Sequence, residues 1–166
     1  NLTEEQPHRA DHVRNRERLL RTAKRLFTER GIDNVLMSEV AKAAGVGQGT
    51  LYRHFENKME LSLALLDEDQ RDLQERTIQQ MRQSLDAAHN LRWFVAEVLQ
   101  FVERNSQLMC VSSSGTGSLQ HPAHWWWRQT IRGLLEQMQA PGDLDYLADS
   151  LYILLDVHNV YFLRQM

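Results

Sequence analysis

Apolar residues recur at three- and four-residue steps along most of the chain, and no segment sustains the strict apolar–polar alternation of a half-buried strand. The pattern therefore predicts helices and no sheet. The first helix runs from about Asp11 to Arg30. Leu19, Leu20, Ala23, Leu26 and Phe27 form its core face, while Arg14, Arg18, Arg21 and Arg25 make a second, basic stripe at the same spacing. Gly31 supplies a left-handed stop, with Ile32 placed to touch Phe27. A short helix from about Ser38 to Ala44, a turn at Gly45-Val46-Gly47 and another helix from about Gln48 to Phe55 follow. Asn57 and Glu60, three residues apart, read as a capping box that opens a long helix reaching about Gln83.

Downstream, Asp86 to Arg104 presents a wide apolar face of Leu91, Phe94, Val95, Val98, Leu99, Phe101 and Val102. Gln107 to Leu119 is ambiguous, and Ser112 to Ser118 is loop-like. Pro122 is well placed as the first residue of a helix to about Gln139. Pro141-Gly142 breaks the chain, and Asp143 can cap a last helix that runs to the end.

The composition is that of an ordinary globular chain: 166 residues, 42% hydrophobic and 25% charged. The net charge of −3 hides an asymmetry. Asn1 to Lys58 carries 11 Lys+Arg against 8 Asp+Glu, and the remainder carries 8 against 14. A basic front half on an acidic protein points to a polyanion met by the front half alone. The single cysteine, Cys110, excludes an internal disulfide and a multi-cysteine zinc site. The start lacks the regions of a signal peptide and no apolar run approaches a membrane span, so the expected location is cytoplasmic, with no membrane partner. The chain begins without Met and stops in an apolar segment, so both ends are read as open to trimming.

Two short helices around a glycine turn meet the requirements of a helix-turn-helix. Ala41 is the small residue at the crossing, Gly45 takes the left-handed turn, Val46 plugs the turn and Leu51 faces inward. The surrounding run is more specific. Gly31, then Val40 to Leu61 with the segment Gly49-Thr50-Leu51-Tyr52-x-His54-Phe55-x-x-Lys58, and Leu20, Ala23, Leu26, Phe27 and Glu29 before it, closely resemble the DNA-binding domain of tetracycline-repressor (TetR) family regulators. The resemblance covers roughly residues 12–66. It implies an all-α protein: a three-helix DNA-binding head over residues 1–57, and a helical body over 58–166 that dimerises through its last helices and often holds an effector.

The residues of the head agree with that implication. Gly47 and Gly49 remove side chains where backbone N–H groups can approach a phosphate, and Gln48 stands at the tip of the recognition helix, where its amide can pair with an adenine edge. Thr50, Tyr52 and His54 match family positions that hold the sugar-phosphate backbone, with Leu51 and Phe55 turned to the core. Lys58 in the first turn of a helix opposes the macrodipole, which makes sense if both act on one phosphate, a solvated lysine being the alternative. The chain departs from the family at Leu36, where Ser or Thr is usual. Either Ser38 caps a helix starting two residues later and supplies the phosphate contact, or that end is looser. In the family only the N-terminal part of the first helix approaches DNA, which favours Arg9 and Arg14 over Arg21 and Arg25; a solvated face is the competing reading of this stripe. The directions of Lys42 and Arg53 are left open.

In the body, 10 of the 13 residues from Leu151 to Leu163 are apolar or aromatic and fall all round the helix, which predicts burial all round. Leu147, Leu151, Leu154, Leu155 and Phe162 are assigned to the subunit's own core. Tyr146, Ile153, Val157 and Val160 face elsewhere, and a partner subunit is the simplest cover, with Ile153, Val157, Val160 and Tyr161 in the dimer interface. Trp125-Trp126-Trp127 cannot all point one way. Trp93, Phe94, Phe101, Met109, Trp126, Trp127, Tyr152 and His158 are candidate ligand-binding residues, with core packing the simpler reading of each. Such a lining suits an apolar or planar molecule, a cation included. His121-x-x-His124 lacks partners for a metal site, Cys110 reads as a small buried hydrophobe, and no catalytic or P-loop pattern occurs, so no metal, no cofactor and no enzymatic activity are expected. The sequence thus points to a homodimeric repressor acting on a near-palindromic double-stranded operator and released by a small-molecule effector, the alternatives being control by a protein partner or an activating role.

Overall fold

A computed structural model describes residues 5–112 and 122–164, with side chains over 10–109 and 125–163. The described residues form eight helices and no strand: α1 (Glu5–Arg30), α2 (Met37–Ala44), α3 (Gln48–His54), α4 (Lys58–Gln83), α5 (Ala87–Ser112), α6 (Pro122–Gln137), α7 (Leu144–Leu154) and α8 (Val157–Arg164). They divide into two compact units, Asn1–Leu65 and Leu66–Met166. The division falls inside α4, later than the boundary expected at its first residue, and Leu61, Ala64 and Leu65 are buried along its first turns. Residues 113–118 of the expected loop and His121 lie outside the described residues, as do the side chains of Arg9, Cys110 and His124.

In the first unit Leu19, Leu20, Ala23, Leu26 and Phe27 are all buried, as the α1 period requires, and Arg14, Arg18, Arg21 and Arg25 are exposed. Gly31 ends the helix at φ 77°, its N–H bonded to Phe27 O at 2.9 Å, and Asn34 Nδ2 donates to Arg30 O at 2.8 Å. α2 ends in a Schellman turn: Gly45 lies at φ 67°, its N–H reaches Lys42 O (3.1 Å), and the Val46 N–H reaches Ala41 O (3.0 Å). Asn57 accepts from the Glu60 N–H at 2.9 Å, while the Glu60 carboxylate reaches back to the N–H of Glu56, one residue beyond the partner of a regular capping box.

The core of the second unit is built from Leu73 on α4, Phe94, Val98, Phe101 and Val102 on α5, Trp127, Ile131 and Leu134 on α6, and Ala148, Leu155, Val157 and Val160 at the end of the chain. α5 continues to Ser112 rather than stopping near Arg104. The Asp143 side chain caps α7 through the N–H groups of Asp145 and Tyr146. The last helix is not continuous, which corrects the sequence expectation. The Asp156 carboxylate accepts from the His158 N–H (2.9 Å) and its carbonyl from the Val160 N–H (2.9 Å), so an aspartate placed within the apolar run acts as a new N-cap and starts α8. Asn159 Nδ2 takes the Ile153 carbonyl at 2.7 Å, satisfying the end that the break exposes.

Gly45→Ala would force a Cβ into the left-handed region although nothing lies within 4 Å of that Cβ, so its cost is conformational alone. A loss of about 1–2 kcal/mol in the stability of the first unit is expected, measured as a shift in the denaturation midpoint by circular dichroism; an unshifted midpoint would contradict the turn assignment.

Candidate nucleic-acid interface

The seven residues of α3 are oriented by what they bury. Leu51 is 0% exposed, with Val40, Ala41 and Phe55 buried beside it in the same unit. With that side turned in, Gln48, Gly49, Tyr52 and Arg53 are exposed and Thr50 is half-buried. Tyr52, half exposed, is a large aromatic side chain presented to solvent next to a helix start. A Cβ at Gly47 or Gly49 would meet nothing within 4 Å, so neither glycine is required by the packing of the head. Their small size matters only to something that approaches from outside.

Arg53, whose direction the sequence left open, folds back along α3. Its Nε donates to Gly49 O at 3.2 Å and its guanidinium reaches Thr50 Oγ1 at 3.4 Å, which brings a cation toward the exposed end of the helix. His54 is half-buried, and its ring lies 4.0 Å from that of His12 on α1. Arg16, one turn further along α1, sits over the Phe55 ring at 5.3 Å. Burial first, and then the charges facing it (His12 and Arg16 from α1, Arg53 on its own helix), hold the His54 pKa below its ordinary value of 6.5. Its Nδ1 is buried without a hydrogen-bond partner. With its proton on Nε2, the neutral ring can act as a donor from that atom. His12 and Arg16 were missed in the sequence; their four-residue spacing on α1 was the available signal.

Lys58 is neither a solvated lysine nor wholly free for a phosphate. Its Nζ donates to Ile32 O at 2.8 Å in a half-buried position, tying the start of α4 to the loop after α1 and leaving two of its donors. Ser38 is not a cap, which corrects the sequence expectation: α2 begins at Met37, with Leu36 at the N-cap position. Leucine offers no acceptor, so only the other half of a capping box forms. The Glu39 carboxylate takes the Leu36 N–H at 2.8 Å and also holds Arg30 at 3.2 Å. Arg14 is exposed and paired with Asp11 at 2.7 Å, a surface contact that contributes little and gives way easily.

In the second unit Phe94, Phe101, Met109 and Trp127 are buried, and Trp93, Trp126 and Tyr152 are half-buried. The rings pair edge-to-face, Phe94 with Trp126 (5.5 Å) and Phe101 with Trp127 (5.4 Å), whereas Trp125 points outward. Burial, with Asp156 adding to it, pushes the Tyr152 phenol up to about 12. His158 does not belong with them. It is exposed and bonded to Asp156 at 3.2 Å, because the helix break places it in the first turn of α8. The same break re-phases the residues after it. Val157 and Val160, expected in a dimer interface, are buried in the subunit's own core, while Leu154 and Phe162, expected in that core, are exposed. Ile153 and Tyr161 are exposed, and so are Leu154, Phe162 and Leu163, which puts five large apolar side chains of α7 and α8 in solvent. No group of three or more metal-ligating side chains is found among the described residues, and no described helix is long and apolar enough to cross a membrane.

Residues 19–65 match the model of the bacterial regulatory proteins of the tetR family. An HTH-type transcriptional regulator of Staphylococcus aureus is 36% identical over 115 residues, which are 67% of this chain and 60% of that protein. The chain belongs to the tetR family. It spans about three fifths of the length of that curated relative. Among solved structures, a transcriptional regulator from Saccharomonospora viridis in complex with choline is 25% identical, with a TM-score of 0.73 over 90% of this chain and 85% of that one. The regulator AibR, solved with isovaleryl coenzyme A and operator DNA, shares the fold at a TM-score of 0.61 and 20% identity, over 85% of this chain and 83% of its own. For this tetR-family head, the matched segment includes α2, the turn, α3 and the start of α4.

Two expectations test the interface. Gly49→Ala should leave the head as stable as before, or slightly more so, since the added methyl meets nothing and alanine favours helix, yet it should weaken DNA binding; unchanged binding in a gel-shift titration would remove Gly49 from the contact surface. A lowered pKa means that stability is full above the ordinary value of 6.5 and is lost as pH falls below it, because the unfolded chain takes up the proton first. Thermal scans between pH 7.5 and 5 should therefore show a decline that is smaller in His54→Gln; an equal decline in both would mean that the His12–His54 contact is not the titrating element.

Proposed function

We propose that this chain is a sequence-specific DNA-binding transcriptional regulator that works as a homodimeric repressor and leaves its operator when a small molecule binds the body. The observation that carries the reading is the outer face of α3, where Gln48, Gly49, Tyr52 and Arg53 are all exposed around a helix whose one deeply buried residue is Leu51. In this reading α3 enters the major groove. Gln48 reads a base edge, and Thr50, Tyr52, the Nε2–H of His54, Arg14 and the remaining donors of Lys58 hold the backbone, where contacts position the protein without reading sequence. Leu36 removes the usual family contact at the start of α2, and Ser38 inside the first turn of α2 is its substitute.

The exposed apolar surface of Ile153, Leu154, Tyr161, Phe162 and Leu163 supports a second copy of the chain as the cover for the end of the body. A two-fold dimer sets its recognition helices in successive major grooves roughly 34–36 Å apart, which calls for a near-palindromic site. An effector that binds better to dimers with mismatched heads then releases DNA by population shift. The S. viridis regulator solved with choline, and AibR with its acyl coenzyme A and operator, support a body that takes small molecules, without indicating which one this chain takes.

Selection of bound sequences from a random DNA pool, at near-physiological salt, tests the reading. A palindrome is the expected result, with Gln48→Ala changing base preference and Tyr52→Phe weakening all sites alike. No enrichment from a folded, dimeric protein would overturn it.

A further inference from the structure

We propose that Gln70 is the polar anchor of a small-molecule site inside the helical body, and that its ligand is an uncharged molecule presenting a hydrogen-bond acceptor. The inference rests on the effector reading above and names the chemistry that reading leaves open. Gln70, on α4, is 6% exposed, and Trp127, on α6, is 2% exposed. The indole Nε1–H donates to Gln70 Oε1 at 3.1 Å. An indole nitrogen can only donate, so the atom facing it must be the amide oxygen, and the orientation of the amide is fixed by chemistry. The NH2 group is thereby turned away from Trp127 with two donors, and no acceptor among the described residues reaches it.

The other buried polar side chains of this unit are provided for. Thr77 donates to Leu73 O, Asn105 donates to Phe101 O, and Asn90 donates to Ser84 O while accepting from Gln80. One nitrogen of Arg76 also lacks an acceptor, but that side chain is a third exposed and already held by Asp72 and Glu97. Gln70 is different: a buried, neutral, rigidly oriented donor next to an aromatic pair. Cores avoid leaving such a group unmet, and an acceptor brought in from outside meets it.

The surroundings define the rest of the ligand. Trp127 lies edge-to-face on Phe101, and Phe94 and Trp126 form a second such pair, which suits a planar or apolar body. Among the described residues of this unit, none of the buried polar side chains is ionisable. A carboxylate or an ammonium placed there would lack a counter-ion, whereas a ketone, ester, lactone or amide carbonyl needs only the donor that Gln70 offers.

The test uses the full chain and three probes of similar shape: acetophenone, ethylbenzene and benzoate, titrated by ligand-observed NMR. Comparing wild type with Gln70→Met/Trp127→Phe, which removes both polar partners together, the ratio of acetophenone to ethylbenzene affinity should fall roughly tenfold, the worth of one buried hydrogen bond. Gln70→Met alone serves if the double variant does not fold. Benzoate should bind more weakly than acetophenone. An unchanged ratio, or benzoate binding as tightly as the ketone, would overturn the proposal. So would failure of both neutral probes to bind, since the amide would then hold only water. Operator binding is followed separately on the selected DNA. A ratio that falls while acetophenone leaves DNA binding unaffected would keep the site and reject effector release.

Discussion

The head depends on one burial. A helix of seven residues is far too short to persist alone in water, and α3 is held by Leu51, which is completely buried in a unit where Val40, Ala41 and Phe55 are buried too. The left-handed Gly45 turns the chain between α2 and α3, and the Schellman bonds of Gly45 and Val46 close the end of α2 before the new helix starts. Once Leu51 points inward, the helical period turns Gly49, Tyr52 and Arg53 outward, and Gln48 is exposed as the first residue of the helix. The exposed face of α3 is thus a consequence of where one apolar residue packs. The glycines flanking Gln48 add no packing of their own, which is why their value lies in what can come close to them.

The cations around this face already have internal partners. Arg14 holds Asp11, Arg53 lies over Gly49 O and Thr50 Oγ1, and Lys58 holds Ile32 O. These differ in how readily they give way. The Arg14 pair is on the surface and screened by salt, so exchanging it for a phosphate costs little. The Lys58 contact is half-buried and joins two parts of the head, so removing that side chain weakens the fold as well as any phosphate contact. His54 represents a further compromise. Burial first, and then the neighbouring His12, Arg16 and Arg53, hold its pKa below the ordinary value, which favours the neutral ring in the packed head.

Much of this was legible in the sequence, for local reasons. The α1 core face, the Gly31 and Gly45 stops, the inward Leu51 and the Asp143 cap follow from helical period and backbone chemistry, which act within a few residues. Where the reading failed, the decisive partner was remote or the phase was reset. Leu36 is an exception, because its partner is local: the Glu39 carboxylate, three residues on, reaches back to the Leu36 N–H, half of a capping box that an apolar N-cap residue disguises. Asp156 was passed over within an apolar run. As an N-cap it starts α8 afresh, and this sends Val157 and Val160 into the core and Leu154, Phe162 and His158 out of it. The contacts His12–His54 and Gln70–Trp127 join residues far apart in the chain, and nothing in the local pattern pairs them.

The central claim is that the outer face of α3 and the start of α4 form the surface that meets DNA. Amide hydrogen exchange of the full chain with and without a selected duplex measures it most directly, at salt low enough for saturation. The account predicts added protection in the segment from Gly47 to Lys58 and in the N-terminal part of α1. Protection confined to the body, with that segment unchanged, would contradict it.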